Sequence, residues 1–276
     1  MGKRGIDVSK WQGTIDWKKV KDNGVEFAII REGYGKKSPT QIDKQFKTNY
    51  EGAKAAGIPV GVYHYSYADS VEDARLEAEF CLENIRGMQL EYPVCFDIED
   101  KEQLKLNNRQ RTDIVKAFCE EIEKAGYYAM FYCNLSWLNN YLLKTELLSK
   151  YDLWLAQWNV PSPAINCGIW QNRETGLVIG ISGNTDINVS YKDYPAIMKS
   201  MGLNGFKSDG FSASQSPAPP AATATEYTTY TVVKGDSLWS IAGKQMGNGT
   251  LWERIKNINA LTSTVIYPGQ VLKIPK

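Results

Sequence analysis

Along roughly the first two hundred residues, short runs rich in β-branched and aromatic side chains alternate with longer stretches of helical periodicity. That alternation predicts a sheet whose strands are joined by crossover helices. The strand runs are Arg4–Val8, Phe27–Arg31, Pro59–Tyr65, Tyr92–Ile98, Tyr128–Cys133, Leu153–Trp158, Gly168–Gln171 and Thr185–Val189. Helical patterns fill Thr40–Ala56, Val71–Arg86 and Asn107–Ala125, while the gaps after Trp158 and Gln171 are short for full helices. Eight strands of this kind predict a closed α/β architecture, an eight-stranded β/α barrel in a parallel sense with irregular last crossovers. Asp16, just ahead of a helical run, reads as an N-cap.

The pattern stops at residues 207–226, KSDGFSASQSPAPPAATATE, which lose nearly all large apolar side chains and cannot bury enough surface to offset ordering. This segment reads as a linker between a first domain, residues 1–206, and a small last one, residues 227–276.

Composition narrows the classes. With 276 residues, 43% of them hydrophobic, the chain is no disordered polymer. The formal charge of +1 gives no global pull toward nucleic acid or an anionic membrane, and neither is expected as a partner. Residues 228–276 hold six basic against two acidic residues, a net of +4 that leaves −3 for the remainder, so the tail favours an acidic polymer weakly. No apolar run reaches the roughly 18 residues of a membrane span. MGKRGIDVSKW enters a strand-like segment with no apolar signal-peptide region before it, so synthesis in a cytoplasm is expected. Five cysteines, odd in number and without a CxxC pair, read as buried thiols.

His64 is the single histidine, so two-histidine zinc sites are excluded and any histidine-based triad must use this residue. Strand alternation sets it opposite Tyr63 and Tyr65, where a satisfied strand histidine is the simpler reading.

In YPVCFDIEDKEQ, Asp97 and Glu99 lie two apart at the end of an apolar run. Residues i and i+2 of a strand share a face, so the two carboxylates project together with Cα atoms roughly 7 Å apart, and Ile98 turns to the helical layer. In β/α barrels chemistry gathers at such strand ends. Paired acids whose pKa values are driven apart suit glycosidic cleavage, one protonating the leaving oxygen and one supporting the cationic centre. Solvated loop acids and a metal site produce the same DxE pattern. Asp7 in GIDVSKWQG and Asp186 in GNTDINVSY are further acids in apolar strands, and all four converge if the barrel closes. At the same level stand Tyr63, Tyr65, Tyr132, Trp154, Trp158 and Trp170 with the amides Gln157 and Gln171, which suit stacking against sugars or filling of the barrel core.

With these residues, the first domain resembles the glycoside hydrolase family 25 lysozymes, from about Gly5 to Tyr194. The resemblance runs through GIDVSKWQG with IDW, FAIIREGYG, PVGVYHYS, the DIE of VCFDIED, WLAQW, IWQ and TDINVSY. It implies an eight-stranded β/α barrel with shortened last crossovers, and cleavage of the β-1,4 bond between N-acetylmuramic acid and N-acetylglucosamine in peptidoglycan. It further implies Glu99 as general acid and Asp97 as the partner assisting attack by the substrate's acetamido group. Asp7 and Asp186 match two further acidic positions, and Tyr63, Trp154 and Gln171 fall where the family lines its groove. Tyr132, Gln157 and Trp170 join them as expected substrate contacts. No metal and no cofactor are expected.

The last domain resembles the lysin motif, a small α+β module of order βααβ that binds glycans containing N-acetylglucosamine. YTVVKGDSLWSIAGKQ, LWERIKNIN and YPGQVLKIP carry that resemblance. It implies a sugar groove between Gly235, Asp236, Ser237 and Leu238 on one side and Ile266, Tyr267 and Pro268 on the other. One cutting and one wall-binding module together look like a bacteriophage endolysin, made in the host cytoplasm and acting on the wall. The alternatives are a bacterial autolysin, a catalytically silent glycan-binding protein and a metal-dependent amidase or nuclease built on oxygen ligands.

Overall fold

The structure, a computed structural model, describes residues 2–36, 38–207, 227–233, 236–246, 251–259, 261, 266 and 269–275. The chain divides into two compact units, Met1–Ser212 and Ala213–Lys276. Apart from Lys207, the expected linker lies outside the described residues.

The first unit is a closed eight-stranded barrel. In chain order it runs β1 (Lys3–Val8), α1 (Trp17–Asp22), β2 (Phe27–Tyr34), α2 (Phe46–Ala55), β3 (Val60–Tyr65), α3 (Val71–Asn84), β4 (Val94–Asp97) and α4 (Asn108–Lys124). It continues through β5 (Ala129–Asn134), α5 (Leu135–Asn140), α6 (Lys144–Leu148), β6 (Asp152–Ala156), β7 (Ile169–Gly176), β8 (Thr185–Ser190) and α7 (Tyr194–Met201). Helix starts follow local chemistry: Asp16 caps α1 through the Lys19 N–H at 3.1 Å, and Ser70 caps α3 through the Asp73 N–H at 3.2 Å.

The expected parallel sense holds from β1 to β7 and fails at the last strand. β8 runs antiparallel to both β7 and β1. A parallel return needs a crossover of a dozen or more residues, and residues 177–184 are too few to provide one. The reversal brings the first residues of β8, not its last, to the end of the barrel where β1 to β7 finish.

Alternation sorts the strand residues into two layers. Ile6, Val8, Ala28, Ile30, Val60, Val62, Val94, Phe96 and Ile98 are fully buried against the helices. Phe27, Ile29, Cys95, Met130, Tyr132, Trp154 and Ile169 fill the interior. Each such apolar side chain removes surface from water worth roughly 1.5–3 kcal/mol. His64 belongs to the outer layer: its Nδ1 is hydrogen-bonded to Glu32, whose other oxygen accepts from Asn84 Nδ2 at 2.7 Å, and its ring stacks on Phe118. Its Nε2 lies 3.8 Å from Glu77 Oε2 and has no hydrogen-bond partner among the described residues, so His64 is a buried strand histidine satisfied on one nitrogen only, on the face away from Asp97.

The barrel's lower end is plugged. Asp152 Oδ2 accepts from Tyr128 at 2.7 Å and from Tyr194 of α7 at 3.0 Å, while Lys192 pairs with Oδ1. Asn204 then ties the segment after α7 back, donating to the Tyr92 carbonyl at 2.8 Å and accepting the Tyr128 N–H at 2.7 Å. Asp7 and Asp97 stand at the opposite end. The cysteines are free thiols, four buried and Cys167 partly so. Among the described residues no helix is long and apolar enough to cross a membrane.

The second unit has the order β9 (Tyr227–Thr231), α8 (Leu238–Met246), α9 (Trp252–Ile258) and β10 (Val271–Pro275), with β9 and β10 paired antiparallel. Val232, Leu238, Ile241, Ala242, Ile255, Leu272 and Ile274 form its core. Asp236 accepts from the Val233 N–H at 3.0 Å, Tyr230 at 2.8 Å and Lys244 at 2.9 Å. Despite the opposing effect of burial, these donors hold its carboxyl below the usual range. Ser237 caps α8 through the Ser240 N–H at 3.1 Å. Leu238, expected at a glycan groove, is instead only 3% exposed in the core, because the helix turns its first apolar residue inward. Ile266 packs partly buried against that core, and Gly235, Tyr267 and Pro268 lie outside the described residues.

Candidate active site

The site is assembled from strand ends. Asp7, next to last in β1, faces the interior and is 6% exposed. Its Oδ2 accepts from Asn188 Nδ2 at 2.7 Å and Gln171 Nε2 at 2.9 Å. Register sets Asp7 directly opposite Asp186 of β8, so strand reversal delivers the fourth acid. Burial and the neighbouring Asp7 charge push Asp186 up to about 8. Burial raises Asp7 to about 6 against the donors that favour its anion, Asn188 first among them.

Asp97 ends β4, level with Tyr65 and Tyr132 on the flanking strands, and is 5% exposed with no donor on Oδ1. The Ile98 N–H still reaches the Tyr132 carbonyl at 3.2 Å, so strand alternation continues and turns Glu99 to the side of Asp97. Burial, then the charges of Asp7 and Asp100, lift Glu99 to about 7. Asp97 stands well above its ordinary value through burial, Glu99 and Asp7, with Arg31 the opposing cation. Two crowded, dehydrated carboxyls cannot both ionise easily, so the pair keeps a proton to higher pH than solvated carboxyls do.

A hydrogen-bonded wall backs the acids. Trp154 Nε1 donates to Asn188 Oδ1 at 2.8 Å, and Gln171 Oε1 accepts from Tyr132 at 3.2 Å and from Trp158 Nε1 at 3.1 Å. Tyr132 and Tyr63 both set ring edges against Trp154, at 4.6 and 5.9 Å between centroids. Tyr63, Tyr132, Trp154 and Gln171 are therefore brought together with the acids. Trp170 is not: it pairs with Leu155 and Val189 on the outward face, and its Nε1 donates to the Gln157 carbonyl at 2.8 Å. Neighbours on a strand point opposite ways, so Trp170 and Gln171 cannot both face the acids. Gln157 is spent on its own loop, accepting the Ala164 N–H at 2.8 Å.

Two participants escaped the sequence reading. Asn188 is the i+2 neighbour of Asp186 and so shares its face, the same signal that paired Asp97 with Glu99. Arg31 continues the inward set Phe27, Ile29 on β2, and a charge in that apolar run was the clue; Asp43 clamps it through Nε at 2.8 Å and Nη2 at 2.7 Å. Nothing in the sequence marked Asp43. Among the described residues, the donor atoms grouped closely enough to suggest a metal are those of Glu32, His64 and Cys81, within 4.8 Å of one another, on the far side of the strands from the acids.

The sequence profile described as glycosyl hydrolases family 25 matches residues 6–181. The chain belongs to glycosyl hydrolase family 25. The family stretch contains Asp7, Asp97 and Glu99 and stops short of Asp186, which joins them through the β1–β8 register. A LysM domain profile matches residues 230–275. The autolytic lysozyme of Clostridium acetobutylicum is 31% identical over 187 residues, covering 67% of this chain and 55% of that protein. This chain thus spans about half the length of that relative. Lysozyme M1 of Streptomyces globisporus is 30% identical over 202 residues, 68% of this chain and 67% of its own. Among solved structures, the CTP1L endolysin superposes with a TM-score of 0.63 at 29% identity, over 72% of this chain and 70% of that one.

Proposed function

We propose that the barrel is a muramidase, cutting the β-1,4 bond between N-acetylmuramic acid and N-acetylglucosamine. The observation that supports this most is the state of Glu99: a strand-end carboxyl raised to about 7 by burial and the Asp7 charge, two residues from buried Asp97. Glu99 gives its proton to the glycosidic oxygen as the bond to the anomeric carbon breaks. Asp97, as carboxylate, supports the acetamido group whose oxygen attacks that carbon. Glu99, now an anion, then takes a proton from the water that opens the intermediate. The Asp7–Asp186 pair supplies the negative field that keeps Glu99 protonated until substrate binds. Tyr63, Tyr132, Trp154 and Gln171 form the wall of the sugar groove.

The second unit anchors the enzyme on wall glycan containing N-acetylglucosamine, with Asp236 fixing the turn before α8. Its pairing with the barrel fits an endolysin, and the autolytic name of the Clostridium relative favours an autolysin as the second reading. Clearing of purified walls by the wild type and by Glu99→Gln tests the catalytic assignment. Clearing that persists in excess chelator separates this mechanism from a metal-dependent hydrolase.

A further inference from the structure

β6 joins β7 through residues 157–168 and β7 joins β8 through residues 177–184, and neither connection contains a helix. The outward face of β7 and β8 therefore has no crossover helix of its own. A cleft of about 460 Å³ opens on that face, and Arg4, Asn172, Arg173, Leu177, Ile187 and Val189 line it. Register explains the arrangement, since Arg4 pairs with Val189 and Arg173 with Ile187, putting two guanidinium groups beside an apolar floor. Leu177 at the rim is 80% exposed.

The cleft has the chemistry of a peptide site. Its lining holds two cations and neither Asp nor Glu, so it selects an anion. Arg4 uses one N–H on the Asn23 carbonyl at 2.7 Å and has others to give. Asn172 sits where the β7 register shifts, and its Oδ1 is a buried acceptor with no donor. An amide N–H entering the cleft would satisfy it. Carboxylates, amide N–H groups and small apolar side chains on one ligand describe a short acidic peptide.

Position names the source. Ile187 follows Asp186 in β8, so the cleft and the acid lie on the two faces of one strand, about 3.8 Å apart at Cα. Under the muramidase reading, on which this inference rests, the sugar held over Asp186 carries a peptide on its lactyl group. Four extended residues span about 14 Å at most, enough to cross the rim of a single strand. We propose that this lateral cleft binds the stem peptide of peptidoglycan and makes the enzyme prefer peptide-bearing over naked glycan.

The test measures kcat/KM of the full chain on peptide-bearing glycan strands and on the same strands stripped by an amidase. Arg173→Glu should reduce the ratio of the two by roughly three- to tenfold, as expected for reversing an exposed charge contact. Lys47→Glu, an equal charge change at an exposed position of α2, should leave the ratio at its wild-type value. A ratio unmoved by Arg173→Glu, or an equal loss on both substrates, overturns the proposal. If the wild type cuts neither substrate, the muramidase reading itself fails.

Discussion

Asp7 and Asp186 face each other across the antiparallel β1–β8 pair, and the charge of Asp7 is the largest effect on Asp186 after burial. Two carboxyls placed this way resist ionising together. With Asp186 raised to about 8 and Asp7 to about 6, the proton rests on Asp186 at neutral pH and the anion on Asp7. That anion is the largest charge effect on Glu99 after burial.

Asp7→Asn should therefore move the whole pH profile of kcat/KM to lower pH. Activity requires protonated Glu99 and is lost as pH rises through its pKa. Removing the Asp7 charge lowers that pKa and also relaxes Asp97, so both limbs shift the same way. A profile that loses height without moving would show that Asp7 does not act through charge.

Arg31→Met should displace only the acidic limb, and upward. Arg31 opposes the rise of Asp97, so without it the carboxylate forms at higher pH, while Glu99 has no comparable dependence on Arg31. The pH profile of the variant measures this directly, and an unmoved acidic limb would detach Arg31 from Asp97.

Stability should fall with rising pH because of the same groups. Glu99 is raised in the folded state from 4.5 to about 7, so folded protein binds the proton more tightly between those values. Its favourable contribution is complete below about 4.5 and is lost as pH rises through about 7. Glu99→Gln should consequently raise Tm at pH 8 by several degrees, on the order of 1–3 kcal/mol, with the gain vanishing near pH 4. Calorimetry at both pH values checks the sign.

Removing everything after Lys207 should leave the barrel folded and active on soluble glycan, while weakening wall clearing at low enzyme concentration because tethering is lost. Cutting before Asn204 should not be tolerated. Its amide holds Tyr92 and Tyr128 at the plugged end, and each buried partner left unpaired costs about 1–3 kcal/mol. Thermal melts of the two truncations distinguish these outcomes.

The strands of the barrel were legible because β-branched and aromatic runs mark them individually. Strand direction was not, since alternation has no sense along the chain; the gap after Gln171 pointed only to an irregular crossover, and β7 running on to Gly176 is what leaves too few residues for a parallel return. The same parity that placed Asp97 beside Glu99 excludes Trp170 from the side of Gln171 and admits Asn188 with Asp186. The side chain of Leu238 lies in the core because a motif position fixes a residue's backbone and leaves its side chain to the helix packing. Asp43 had no signal at all, because it reaches Arg31 from a loop and no periodicity connects them.

In the proposed reaction Glu99 delivers its proton to the oxygen of the muramyl–glucosaminyl bond. Reduction of the ends newly exposed in a digest of purified wall, followed by acid hydrolysis, identifies the sugar at each cut. The wild-type digest should yield reduced muramic acid, with a loss of about 100- to 10,000-fold in the rate of its appearance for folded Glu99→Gln. Reduced glucosamine, new amino groups without new reducing ends, or near-native turnover by folded Glu99→Gln would contradict it.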